Sequence, residues 1–161
     1  MPIRRGWMLL AALALGLSAV AACDDDGDEN GNGNGNGKTD GGVKLNQNQA
    51  VAWLLEANSG VVEIGQIAQV RGQREDVRAL ALIEVQEHQA SNVQLITDAQ
   101  AAGVVLQDSA PRRELNDQFE REVGSLLTVP SSSFDSRYIN FDILTHQQQL
   151  AAIDAVIVPA I

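Results

Sequence analysis

The sequence predicts an all-α protein, an up-and-down helical bundle carried behind an export segment and a tether. Three observations lead there. From Val43 onward no stretch alternates apolar and polar residues for long enough to make a strand. The same region is rich in Ala, Leu, Gln and Glu, which are good helix formers, and its aliphatic residues recur at spacings of three and four. Only short breaks containing Gly, Pro or Ser separate the periodic segments, and connections that short favour antiparallel neighbours.

Residues 1–22 read as a signal peptide. Arg4 and Arg5 form a positive start, the run from Trp7 to Ala19 is apolar but short for a bilayer span, and Val20-Ala21-Ala22-Cys23 closes it. Those last four residues resemble the lipobox of bacterial lipoproteins. The resemblance implies cleavage before Cys23, lipidation of that cysteine, and an envelope protein whose membrane contact is the lipid, at the inner or the outer membrane. Cys23 is the only cysteine, so no internal disulfide is expected. Residues 23–42 then form a tether: an acidic run from Asp24 to Glu29, alternating Asn and Gly from Asn30 to Gly37, and Lys38 to Gly42. Such a composition cannot bury a core, and a Gly-rich chain of this length reaches roughly 24 Å.

The domain spans residues 43–161, and four helices are expected in it. The first runs from about Asn46 to Arg71, with Leu54, Ala57, Val61, Ile64 and Ala68 along one stripe; Gly60 and Gly65 either weaken it or mark close helix contacts. The second runs from about Glu75 to Ala102 with Val77, Ala81, Glu84, His88, Ser91 and Leu95 in line, Glu75 and Asp76 at its positive end and Gly103 after its last turn. A shorter third helix fits Pro111 to Leu127, facing inward through Leu115, Phe119, Val123 and Leu126. Ser131, Ser132 and Ser133 stand where they could cap a fourth, from Phe134 to about Val158, whose stripe is Ile139, Ile143, His146, Leu150, Ile153 and Ile157.

The formal net charge of −10 becomes −12 once Arg4 and Arg5 are removed with the signal peptide. A chain so acidic lacks the basic face that nucleic acid requires. No nucleophile motif, glycine-rich phosphate loop or dense cysteine and histidine cluster is present, so no catalytic residue is assigned. What stands out is that each of the two histidines follows an acid by one helical turn, Glu84 with His88 and Asp142 with His146, and Glu63 on the first helix could approach the same level. Carboxylates and imidazoles projecting inward from several helices suit iron or manganese; hydrogen-bonded core pairs would use the same residues without any metal.

Ser59 to Ala68, Glu87-His88, Ala101 to Val104, and Phe134 to Tyr138 with His146 eight residues on together resemble the domain of unknown function 4142 family, over about Ala50 to Ile157. The resemblance implies a ferritin-like helical bundle in a bacterial envelope protein, with no assigned activity. It matches Glu63, Glu87, His88, Asp135, Tyr138 and His146 to recurrent polar positions; at the position of Glu84 the family usually has an apolar residue. Weak metal candidates are therefore Glu63, Glu87, His88, Asp142 and His146. The resemblance also implies a further long helix beyond Pro159, which would leave the bundle truncated here. The function expected is a non-enzymatic, lipid-anchored interaction module without a cofactor; the alternative is a ferritin-like metal-binding protein or oxidoreductase holding iron or manganese. With a helix missing, the Leu54-to-Ile64 and Ile139-to-Ile157 stripes cannot both be covered, and the domain is expected either to be marginally stable or to self-associate, most simply as a two-fold homodimer that closes the groove.

Overall fold

In a computed structural model, residues 44–157 are described, apart from the side chain of Val156. The expected signal peptide, Cys23 and the tether lie outside the described residues. Asn46 opens the bundle by reciprocal capping of α1 (Gln47–Arg71): its side chain accepts the Gln49 N–H at 3.0 Å, and the Gln49 side chain accepts the Asn46 N–H at 3.1 Å. α2 (Glu75–Ala101) follows α1 after a three-residue link, with Arg74 as an N-cap whose side chain makes no capping bond and pairs with Asp76 instead. Gly103, at φ 69°, ends that helix in the left-handed conformation. α3 (Ala110–Thr128) is capped by Ser109, whose hydroxyl accepts the Arg112 N–H at 3.3 Å, with Pro111 in the first turn. α4 (Ser131–Ala152) continues into a π-helical turn, Ile153–Ile157.

The paired residues give the directions. Ser59 meets Asn92 and Gln69 meets Ala81, so α1 and α2 are antiparallel. Glu56 meets Arg112 and Arg71 meets Leu126, so α3 runs with α1. Arg71 lies over Phe134 while Ala57 is reached by Gln149, so α4 runs against α1 and with α2. This is an up-and-down bundle with α1 at its centre, packed on α2, α3 and α4, while α2 and α4 share only a thin contact.

Two glycines of α1 mark close approaches. A Cβ on Gly60 would stand 2.2 Å from the Phe119 ring of α3, and one on Gly65 would stand 2.8 Å from a Val85 methyl of α2. The main core gathers Val61, Ile64, Ala68, Val77, Ala81, Phe119, Leu126, Phe134, Tyr138 and Phe141; a second cluster joins Leu45, Ala50, Trp53 and Ala57 to Ile157. Two polar latches tie the bundle's end together. Arg71 donates to the carbonyls of Leu126 and Val129 with its guanidinium 5.2 Å above the Phe134 ring. Asp135 of α4 accepts the Gln73 and Arg74 N–H groups at 2.8 and 2.9 Å, so the start of α2 is capped by another helix.

Two expectations need correction. The serines do not cap α4: Pro130 is the N-cap, without a side-chain bond, and Ser131 to Ser133 lie in the first turn. Of the two stripes that could not both be covered, that of α1 is the covered one, since Ala57, Val61, Ile64 and Ala68 are buried and Leu54 is half-buried. The α4 stripe is rotated. Its buried face is Phe134, Tyr138, Phe141, Asp142, Thr145 and Gln149, while Ile143 and Leu150 are exposed and Ile139 is half-buried. Three aromatics at successive turns bury more area than three aliphatics, and Phe141 adds an edge contact with Phe119, the centroids 6.1 Å apart. They set the rotation, and three polar side chains are carried inward with them.

Candidate metal centre

The rotation of α4 puts His146 at the seam with α2, opposite the polar middle of the α2 stripe. There Glu84 joins the two histidines. Its Oε2 stands 3.3 Å from His88 Nε2 and 3.5 Å from His146 Nε2, and the three donor atoms lie within 4.8 Å of one another. The imidazole centroids are 5.6 Å apart, the rings inclined at 56°. Glu84 and His88 are shielded, at 16% and 17% side-chain exposure, whereas His146 is 38% exposed, so the cluster is open on one side.

The outward nitrogens are committed. His146 Nδ1 donates to the Asp142 backbone carbonyl at 2.9 Å, an acceptor that can do nothing else. His88 Nδ1 lies 2.8 Å from Asn58 Oδ1. With an acceptor at each Nδ1, two neutral rings would present both Nε2 lone pairs to the Glu84 carboxylate. When the rings are protonated instead, the contact with His88 holds the Glu84 carboxyl below the usual carboxylate range, outweighing its burial, and the charges of His146 and His88 act in the same direction. Three electron-pair donors therefore converge on one point and need a cation between them, which a proton on Nε2 or a metal ion could supply.

Asp142 adjoins the cluster without entering it. Its Oδ1 is 3.5 Å from His146 Nδ1, but that N–H is spent on the Asp142 carbonyl, so the contact is one of charge only. Burial pushes the Asp142 carboxyl above its ordinary range and nearby Glu84 adds to the rise, while His146 and His88 oppose it. Tyr138 is pushed up for the same reasons, burial first and then the charges of Asp142 and Glu84. Tyr138 Oη, Asp142 Oδ1 and Thr145 Oγ1 are buried with no hydrogen-bond partner among the described residues.

Of the residues expected from sequence, His88 and His146 come together, Asp142 stands beside them, and Glu63 and Glu87 are exposed and outside the cluster. Asp135 belongs to the capping latch. The joining residue is Glu84, the acid one turn before His88. Asn58 had no sequence signal, because its partner His88 lies on another helix.

An ion about 2.1 Å from each of two donors at a tetrahedral angle holds them roughly 3.4 Å apart, which the two Glu84–imidazole separations match. Two imidazoles with one carboxylate suit zinc or iron(II) better than calcium or magnesium. A family model described as Domain of unknown function (DUF4142) matches residues 35–160. No curated protein and no solved structure matches the chain.

Proposed function

Since the chain belongs to the domain of unknown function 4142 family, whose description names no activity, we propose from its geometry that it is a metal-binding protein of the bacterial envelope, taking one divalent first-row ion at Glu84, His88 and His146. The observation that carries this reading is the convergence of three donor atoms from two helices while both Nδ1 atoms face carbonyl oxygens. It favours the metal-binding alternative over a plain interaction module. An acid–histidine pair serving only the core needs one imidazole per carboxylate, whereas here one carboxylate faces two. The envelope location rests on the likeness of Val20-Ala21-Ala22-Cys23, at the end of the apolar run, to a lipobox, which would make Cys23 the lipidated residue. Among the described residues no helix is long and apolar enough to cross a membrane.

Calorimetric titration with zinc, and with iron(II) under anaerobic conditions, tests the proposal. One ion per chain is expected, with affinity at least 100-fold weaker in each of His88→Ala, His146→Ala and Glu84→Gln, and unchanged in Glu63→Ala and Glu87→Ala. Absence of saturable binding, or full binding in both histidine variants, would sink it.

A further inference from the structure

Asn58 is one end of a chain of hydrogen bonds that leads away from His88, and the far end fixes the direction of every link. Ser59 Oγ lies 2.7 Å from the Leu55 backbone carbonyl, which can only accept, so the hydroxyl proton points there. The hydroxyl oxygen must then accept from Asn92 Nδ2, 3.2 Å away. That places Asn92 Oδ1 toward Asn58, where it accepts from Asn58 Nδ2 at 2.9 Å. Asn58 is left with its carbonyl oxygen facing His88 Nδ1 at 2.8 Å, and the imidazole must donate.

Without that constraint the neutral ring would prefer the other tautomer. Glu84 is anionic and 3.3 Å from Nε2, so a proton on Nε2 would gain a charge-assisted hydrogen bond. The same proton would occupy the lone pair a metal needs. We propose that Asn58, oriented by Asn92 and Ser59, is a positioning residue that holds neutral His88 with its proton on Nδ1 and so keeps Nε2 free for a metal ion. The use of that free lone pair rests on the metal-binding reading; the tautomer itself does not. His146 needs no such relay, because its Nδ1 faces a backbone carbonyl of its own helix. The arrangement is the one by which partners outside the coordination sphere set a ligand's tautomer in metal proteins, where their loss weakens binding by about 10–100-fold.

The test is the tautomer of each histidine in the metal-free full-length chain, read from ring ¹⁵N shifts at a pH where both rings are neutral, and followed by zinc titration. The unaltered chain is expected to carry the proton on Nδ1 of both rings. Asn58→Leu removes the acceptor, so His88 should move to the Nε2–H form while His146 stays unchanged, and zinc affinity should fall about 10–100-fold. Asn58→Asp keeps an acceptor and should retain the tautomer and the affinity. Ser59→Ala, at an exposed position, frees the far end of the chain and should move His88 part of the way. A neutral His88 carrying its proton on Nε2 in the unaltered chain, or one unmoved by Asn58→Leu, would overturn the inference. Because the tautomer is read without metal, it decides this inference even if zinc fails to bind.

Discussion

Asp142 sits at a position 8% exposed, on the same face of α4 as Phe134, Tyr138 and Phe141. A buried carboxyl raised above its ordinary range binds its proton more tightly in the folded chain than in the unfolded one. Its linkage therefore runs opposite to that of a salt-bridged carboxylate: stability is highest below the ordinary carboxylate range and declines as pH rises through the raised value. An amide of the same shape would not ionise, so Asp142→Asn is expected to raise the melting temperature at neutral pH, with the gain shrinking as the buffer is taken below the ordinary carboxylate range. Equal melting temperatures at neutral pH would mean that His146 already offsets the buried charge. Glu84 has the opposite sign. Its lowered carboxyl contributes stability above the ordinary range, and that contribution is lost as pH falls through the lowered value.

At the scale of the element, the helices are placed by what they allow to come close. Gly60 gives the Phe119 ring its seat on α1, and Phe119 in turn meets Phe141, so one missing Cβ links three helices. Gly60→Ala is expected to cost about 1–3 kcal/mol by forcing the ring away. Gly124, inside α3, has nothing within 4 Å of where a Cβ would stand, and Gly124→Ala should stabilise by about 0.5–1 kcal/mol through the entropy of the unfolded chain. Urea unfolding of the two variants gives the comparison; equal effects would show that the Gly60 contact is not limiting. The same logic of anchors explains α4, where aromatic residues set the rotation and aliphatics at Ile143, Leu144 and Leu150 are left outside.

For the whole molecule, the outward aliphatics have a second property. From Tyr138 to Ile153 the only acid is the buried Asp142, and no Lys or Arg occurs, in a chain of formal net charge −10. Two copies meeting along this stretch would avoid the repulsion that their acidic surfaces impose elsewhere. Self-association through α4 is the expected outcome, as a concentration-dependent dimer in light scattering coupled to gel filtration that Ile143→Lys with Leu150→Lys returns to monomer. A monomer at every concentration up to tens of micromolar would count against it.

Helix number, order and near boundaries were legible because they rest on local rules: period, capping and the conformational needs of Gly and Pro act within a few residues. The pairing of each histidine with an acid one turn earlier was legible for the same reason, since helical geometry alone brings positions 84 and 88, and 142 and 146, to one face. Glu84 could be seen as a partner of His88 but not of His146, and Asn58 could not be seen at all. Those contacts depend on how far each helix is turned about its axis. Periodicity proposes a face, but the rotation is decided by which side chains bury most against the neighbouring helices. For α4 the apolar period pointed to Ile139, Ile143 and Leu150, and packing against Phe119 chose Phe134, Tyr138 and Phe141 instead. That choice brought His146 to Glu84, and only the assembled bundle could make it.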